Sequence, residues 1–202
     1  MRRFWILLSV CITMFSFGQE RFSKKAVTEF QKELNNFYAN PEKSPLLIED
    51  LHSFKSLDFF KPNKKYFVKA LFKRTPDEKP FEMPTSTDRK PLYVKYGEVH
   101  FIIDGKNLKL DVFQNVEMSR MPLYKNNLFL PFTDLTSGVT TYGGGRYLDL
   151  TIPENDIIYI DFNQAYNPYC AYNYKYSCPI PPEQNDLQIE INAGVKLKTN
   201  KI

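Results

Sequence analysis

Residues 20–38 carry apolar side chains at three- and four-residue spacing, with polar side chains between them. Ala26, Phe30, Leu34 and Phe37 share one face of the segment, which is the pattern of an amphipathic helix. Asn40-Pro41 predicts the end of this helix, and a second short helix is expected within residues 46–53. The pattern therefore predicts a helical segment near the N-terminus.

The pattern changes to an alternation of apolar and polar side chains after residue 66. The predicted strands are 66–74, 93–103, 108–113, 128–131, 147–152 and 157–162, with a last strand marked by Leu187, Ile189 and Ile191. Asp104-Gly105 predicts a tight hairpin, and residues 153–156 predict a second hairpin between 147–152 and 157–162. We expect a mostly β fold (α+β by count), an antiparallel β-barrel or sandwich of about seven or eight strands with an N-terminal helical segment.

Residues 1–18 have the features of a secretory signal peptide. Arg2 and Arg3 precede an apolar run over residues 4–14, and Ser16-Phe17-Gly18 supplies small residues for cleavage. The run is shorter than the roughly 20 residues that a membrane-spanning helix needs. We expect an exported protein, periplasmic or secreted, without a membrane anchor after cleavage, in which residues 19–202 form a single domain.

The charge balance argues against nucleic acid as a partner. The chain has 27 basic and 23 acidic residues, and it lacks the dense basic block that binding to phosphate backbones requires.

Export removes Cys11 and leaves two cysteines, Cys170 and Cys178. An even pair in an exported protein favours a disulfide, which would stabilise the fold by roughly 2.5 kcal/mol if the geometry permits it. As an alternative, Cys170 is a nucleophile, but neither His52 nor His100 lies in a recognisable catalytic context. The ligand set for zinc is incomplete, so the sequence predicts no metal site and no cofactor.

Half of the eight glycines lie in Gly138 and the run 143–145, which Arg146 follows directly. Permissive backbone at Gly143 and Gly145 beside a guanidinium is an arrangement that binds a carboxylate, phosphate or sulfate. The competing interpretation is a bulged entry to a strand, in which Arg146 pairs with Asp134 or Asp161.

The segment 161–185 concentrates the remaining candidate chemistry. Asp161 and Glu183 are candidate general acids or bases, although Asp161 can equally cap a turn and Glu183 can be a surface charge. Tyrosine rings and amides together are typical of surfaces that bind sugars or peptides, although the rings can instead cover the loop's own core. The predicted ligand-binding residues are Gly143, Gly145, Arg146, Tyr147, Asp161, Tyr166, Asn167, Tyr169 and Tyr172.

Two stretches, TSGVTTYGGGRYLDL (136–150) and IDFNQAYNPYCAYNYKYSCPIPPEQN (160–185), resemble the C-terminal signature of the uncharacterised family known as domain of unknown function 1684. The stretch LFLPFTDLTSG (128–138) is also similar to that family. The resemblance implies a fold unit and a probable site, but no settled activity. It implies that these residues belong to the family pattern: Asp134, Thr136, Ser137, Tyr142, Gly143, Gly145, Arg146, Tyr147, Asp161, Asn163, Tyr166, Asn167, Tyr169, Cys170, Cys178, Pro181, Glu183 and Asn185.

Three hypotheses about function follow from the sequence. The first is a module that binds a small polar or anionic molecule or a glycan through the glycine loop and the tyrosines. The second is a periplasmic hydrolase or a thiol-dependent enzyme that uses Asp161, Glu183 or Cys170. The third is a structural domain in which a disulfide staples the loop.

Overall fold

The hydroxyl of Ser23 caps the first helix by accepting a hydrogen bond from the N–H of Ala26 at 3.2 Å. The computed structural model describes residues 21–197, so the predicted signal peptide and Cys11 lie outside the described residues. Helices α1 (Lys24–Ala39) and α2 (Ile48–Ser53) confirm the predicted helical segment. Neither of these described helices is long and apolar enough to span a membrane.

Within residues 21–197, eight strands follow the helices, and they pair almost entirely in antiparallel fashion. Their bounds are β1 Phe67–Arg74, β2 Phe81–Glu82, β3 Leu92–Ile103, β4 Lys106–Asn115, β5 Asn127–Asp134, β6 Arg146–Thr151, β7 Ile157–Asp161 and β8 Asp186–Leu187. The main sheet has the order β6-β5-β4-β3-β1-β7, with β2 beside β3 and β8 parallel to β5. The mostly antiparallel β fold is therefore confirmed, as a curled half-barrel.

The hairpin predicted at Asp104-Gly105 joins β3 and β4. Both turn residues have positive φ, 52° and 74°, as a two-residue type I′ turn requires.

The second predicted hairpin is wrong. Strands β6 and β7 lie at opposite edges of the sheet, because β6 pairs with β5 and β7 pairs with β1. Residues 152–156 instead connect the two edges of the sheet. The N–H of Ile152 donates to the carbonyl of Asn126, next to β5, and the N–H of Phe72 in β1 donates to the carbonyl of Asp156. A connection this short requires the sheet to curl until its two edges approach each other.

The last predicted strand is reduced to β8, and most of residues 188–197 is irregular. Its apolar side chains are nevertheless buried as expected, because Leu187, Ile189 and Ile191 all belong to the main core. The two-residue strand β2 was not predicted, since a pair of residues carries no detectable alternation.

The sheet buries apolar side chains on both of its faces. The inner face contributes most of the main core, including Val99, Leu110, Leu130, Leu148 and Ile160. On the outer face, Met83, Tyr93 and Phe113 form a second cluster with Phe81 and Phe129 packed against it; we call these five residues the outer cluster.

Helix α1 belongs to a third cluster. Tyr38, Leu46, Leu57 and Val195 are buried there, and Tyr166 and Tyr172 pack against them.

A network of charges lies across β3 and β4. Lys95 Nζ lies 2.7 Å from Glu98 Oε1 and 3.1 Å from Asp111 Oδ1, while Lys109 and His100 also contact Glu98. The hydrogen bond from Lys95, assisted by those from Lys109 and His100, lowers the pKa of Glu98 to about 2.

We predict that Glu98→Gln lowers the free energy of unfolding by about 2 kcal/mol at pH 7. The native pKa lies below the unfolded value of about 4.3, so the contribution is complete above that value and is lost as pH falls through about 2. Urea unfolding from pH 7 to pH 2.5 measures the difference between the wild type and the variant, which should narrow as pH falls. A constant difference would contradict the prediction, and Glu117→Gln, on an exposed turn, is the matched control.

Candidate functional site

Arg146 is completely buried at the start of β6. Its guanidinium lies 2.7 Å from Asp134 Oδ2 and donates to the backbone carbonyls of Ile191, at 2.9 Å, and Ala193. The guanidinium therefore faces the protein interior rather than a ligand. This placement departs from the expected anion site and matches the competing interpretation, in which Arg146 pairs with Asp134.

The second oxygen of Asp134 is engaged as fully as the first. Asp134 Oδ1 accepts hydrogen bonds from the N–H and hydroxyl of Thr136 and from the N–H of Ile191, at 2.9, 2.6 and 3.1 Å. The pair of Asp134 and Arg146 thus joins β5, β6 and the C-terminal segment.

The glycine loop divides into an exposed and a buried part. Gly143 and Gly144 are exposed, whereas Gly145 is buried. Gly145 has φ +85°, and a Cβ there would lie 2.6 Å from the carbonyl oxygen of Phe132 and 2.7 Å from Pro181. Gly145 is therefore required by close packing and by its left-handed backbone.

Asp161 and Glu183 are not brought together. Asp161 ends β7 and accepts hydrogen bonds from the N–H and the amide of Asn163, at 3.0 and 2.7 Å, so it acts as the cap of a turn. Glu183 is exposed in a turn that packs against β4 and β5 through Asn185. The arrangement gives no support to a pair of catalytic carboxylates.

The tyrosines of the loop mostly pack inward. Tyr172 contacts Tyr38 of α1 edge-on at 5.0 Å between ring centroids, and Tyr169 stacks on Phe37 at 6.0 Å. Tyr166 is packed edge-on against Tyr147 at 5.9 Å. Tyr169 is the most exposed of the predicted ligand-binding tyrosines, with 37% of its surface accessible to solvent.

Asn167 is also buried, and its amide donates to the hydroxyl of Tyr172 at 3.0 Å and to the carbonyl of Lys196. This contact further commits Tyr172 to the interior of the loop.

Cys170 and Cys178 are free thiols that lie next to each other. The N–H of Cys170 donates to Cys178 Sγ at 3.2 Å, and the hydroxyl of Tyr142 lies 3.9 Å from Cys170 Sγ. Cys170 is half-buried and Cys178 is buried. The predicted disulfide is not formed in this structure, but the two cysteines are adjacent.

Hydrogen bonds with neighbouring groups separate the acidities of the two thiols. Those with Cys178, Tyr142 and Ser86 lower the pKa of Cys170 to about 6, in spite of partial burial. The interaction with Cys170, together with burial, raises the pKa of Cys178. The two shifts run in opposite directions, and the lower pKa belongs to Cys170.

The segment 84–87 holds the cysteine loop in place. The N–H of Cys178 donates to Ser86 Oγ at 3.1 Å, and the N–H of Ser86 donates to the carbonyl of Cys178 at 2.9 Å. Thr87 donates to the hydroxyl of Ser177 at 2.6 Å. We call Cys170, Cys178, Tyr142 and Ser86 the thiol cluster. The role of Ser86 was missed, because its 92-residue separation from Cys178 leaves no local signal.

Two cavities lie away from the glycine loop. The larger, about 230 Å³, lies between the connector after α2 and the C-terminal segment, and Tyr172 is the only predicted site residue that lines it. The smaller, about 100 Å³, lies on the outer face and is lined by Asp149 among others. Within residues 21–197, no group of three or more His, Cys, Asp or Glu side chains is arranged to hold a metal ion.

Comparisons with known proteins identify a family that the sequence matches. The model of the family described as "Protein of unknown function (DUF1684)" matches residues 52–196. The chain is also similar to an uncharacterized protein of Haloarcula marismortui solved by solution NMR, with 32% identity and a TM-score of 0.68. That likeness covers 88% of this chain and 96% of the other. No functionally curated protein matches the chain.

We predict that Arg146→Ala lowers the free energy of unfolding by about 3–5 kcal/mol, because it leaves Asp134 buried without its counter-charge. Chemical unfolding followed by circular dichroism measures this loss. Arg120→Ala, which removes an exposed arginine from a surface turn, should change the free energy by less than about 0.5 kcal/mol. Equal effects of the two changes would show that the buried pair contributes nothing specific.

Proposed function

The chain belongs to DUF1684, a family of unknown function, and we propose that it is an exported thiol–disulfide exchange protein. Cys170 is the attacking thiol and Cys178 is the resolving thiol. The partner is a disulfide in another protein or in a small molecule.

The observation that carries the proposal is the adjacency of two chemically unequal thiols. Cys170 is half-buried and Cys178 is buried, with the N–H of Cys170 donating to Cys178 Sγ at 3.2 Å. A reactive thiol that a substrate can reach, with a second thiol behind it, is the arrangement that disulfide exchange needs.

The acidity of Cys170 supports the same role. With its pKa lowered to about 6, Cys170 is mostly a thiolate at pH 7, and the thiolate is the nucleophile in exchange. Neither histidine is needed as a base. His100 instead contacts Glu98 at 3.0 Å, in the network of charges across β3 and β4.

The exchange proceeds in two balanced steps. The Cys170 thiolate attacks one sulfur of the partner disulfide and forms a mixed disulfide, while the other partner sulfur leaves as a thiolate and takes up a proton. Cys178 then loses its proton and attacks Cys170 Sγ, which releases the first partner sulfur as a thiolate. The two cysteines are oxidised to a disulfide, and the partner disulfide is reduced to two thiols.

The predicted signal peptide supports an oxidising location for this chemistry. In such a compartment the Cys170–Cys178 disulfide would be the resting form, and the two steps would run in reverse. A partner thiolate attacks Cys170 Sγ and releases Cys178 as a thiolate that takes up a proton, and the second partner thiolate then attacks the first partner sulfur and releases Cys170. The two partner thiols are oxidised to a disulfide, and the two cysteines are reduced. The disulfide that the cysteine count favours is then one state of the cycle rather than a permanent staple.

We predict that Cys170 of the reduced protein reacts with iodoacetamide at a rate that is half-maximal near pH 6, as its pKa indicates. Cys178 should stay unmodified until the protein unfolds. Mass spectrometry of peptides, sampled over time from pH 4 to pH 9, measures both sites. Tyr142→Phe removes a hydrogen bond to the Cys170 thiolate and should move the midpoint to higher pH. Tyr174→Phe, on an exposed ring, should not move it.

The contrary result is a midpoint near 8.5 for both cysteines, the value of an ordinary thiol. A second readout is the reduction of a small disulfide such as oxidised glutathione, followed by the formation of the intramolecular disulfide. Cys170→Ser should abolish the reduction. Cys178→Ser should trap the mixed disulfide, and failure to trap it would also refute the mechanism.

As a second candidate we propose that the larger cavity binds a small anionic molecule. Lys55 and Lys196 line it with Tyr172, one carboxylate (Asp58), two serines and four apolar side chains. Two ammonium groups thus stand against one carboxylate, and a volume of about 230 Å³ suits a compact aromatic acid. A glycan fits less well, because Tyr166 and Tyr172 pack their rings inward.

Benzoate should therefore bind more tightly than its neutral analogue benzamide, because only benzoate can pair with the lysines. Lys55→Gln should reduce this preference, whereas Lys79→Gln, at an exposed position outside the cavity, should leave it unchanged. Calorimetric titrations of both compounds into each variant decide the question. Equal affinity for the two compounds would exclude the anionic ligand.

A further inference from the structure

The smaller cavity lies on the outer face of the sheet, and no residue of the thiol cluster lines it. We call it the outer pocket. Its volume is about 100 Å³, and its lining residues are Tyr93, Asn115, Met118, Tyr124, Asn127, Leu128, Phe129 and Asp149. The side chains that define its chemistry are three aromatic rings and one carboxylate.

Aromatic rings form much of the lining of the outer pocket. Tyr93 and Phe129 lie with their centroids 5.7 Å apart and their planes inclined at 42°, and Tyr124 lines the same space. The Lys and Arg groups found over aromatic rings within residues 21–197 sit on other rings. Arg89 interacts with the hydroxyl of Tyr93, but within residues 21–197 no lysine or arginine lies over the ring of Tyr93, Tyr124 or Phe129.

Asp149 supplies the charge of the outer pocket. It faces Phe129 across the β5–β6 ladder, and one of its oxygens, Oδ2, accepts a hydrogen bond from the hydroxyl of Tyr166 at 2.8 Å. Within the described residues, Asp149 has no ion pair with a lysine, arginine or histidine. Tyr166 orients the carboxylate without neutralising it.

Aromatic packing supports Phe129 from behind. Phe129 packs edge-on against Tyr147 at 4.7 Å, and Tyr147 packs edge-on against Tyr166 at 5.9 Å. The hydroxyl of Tyr147 donates to the carbonyl of Pro179. The ring of Phe129 and the carboxylate of Asp149 are thus supported by the same two tyrosines.

We infer that the outer pocket binds a small organic ammonium ion, with the methylated or primary ammonium group against the rings and Asp149. Aromatic faces attract such a cation through their quadrupoles, and Asp149 adds a full opposite charge. A divalent metal is a poor fit, because Mg²⁺ and Ca²⁺ require several oxygen ligands and a single carboxylate lines the outer pocket. An anion would be repelled by Asp149. This inference goes beyond the proposed exchange chemistry and does not depend on it.

The test is a titration of the full-length protein with choline and with its neutral isostere 3,3-dimethylbutan-1-ol, followed by NMR of the aromatic ring protons. The two probes share shape and differ in charge. Choline should bind saturably and about tenfold or more tightly than the alcohol, because only the cation gains from the rings and the carboxylate. Equal binding of the two probes, or no saturable binding of choline, would overturn the inference.

Variants locate the site. Asp149→Asn keeps an oxygen that can accept from Tyr166 but removes the charge, and it should weaken choline binding about tenfold. Phe129→Leu keeps an apolar wall without a ring and should also weaken it. Asp77→Asn, at an exposed carboxylate outside the outer pocket, is the matched control. A loss of affinity as large in Asp77→Asn as in Asp149→Asn would mean that choline binds by net charge alone and would overturn the inference.

Two sources can present the same cationic group. A peptide carrying trimethyllysine, titrated in parallel with choline, separates a methylated protein side chain from a free small cation. Tighter binding of the peptide would identify the side chain as the ligand, and tighter binding of choline would identify the free ion. Repeating the titration in the Cys170→Ser protein should give the same affinities, so that failure of the exchange mechanism and failure of the outer pocket are distinguished.

Discussion

The ion pair of Arg146 and Asp134 is the contact on which the described fold depends. Both side chains are fully covered, and water cannot stabilise either charge. The carbonyls of Ile191 and Ala193 and the N–H groups of Thr136 and Ile191 compensate for that loss. Two strands and the C-terminal segment must therefore come together in one arrangement. That segment also places Ile191 and Ala193 in the main core, so charge pairing and apolar burial support the same closure of the half-barrel.

Two buried asparagines act in the same way where the strand ladders stop. Asn185 accepts from the N–H of Asp111 and donates to the carbonyls of Asp111 and Pro131, which satisfies backbone groups that a proline-containing strand leaves unpaired. Asn163 exchanges hydrogen bonds with the backbone of Asn63. The side chains of Asn163 and Asn185 thus substitute for ladder bonds and serve the fold.

The same fold positions the groups that we propose for chemistry. Tyr169 stacks on Phe37 of α1 and Tyr172 packs edge-on against Tyr38, and these contacts hold the loop that carries Cys170. The segment around Ser86 holds Cys178. On the outer face, Tyr147 lies between the two sites, since it contacts Phe129 of the outer pocket and the carbonyl of Pro179, the residue that follows Cys178. The proposed thiol site and the proposed cation site thus share Tyr147 as a neighbour but differ in chemistry.

The sequence by itself determined what depends on neighbouring residues. The periodicity of residues 20–38 predicted α1, and the alternation after residue 66 predicted seven of the eight strands found within residues 21–197, the last of them longer than β8. Asp104-Gly105 predicted the β3–β4 turn, because its backbone conformation is a property of those two residues. Only the tertiary structure decided what depends on residues far apart in the chain. The partners of β6 and β7, the burial of Arg146 and the position of Ser86 beside Cys178 belong to this group. Sequence separation hides such contacts because many pairings satisfy the same local pattern, and only the packing of the complete core selects one of them.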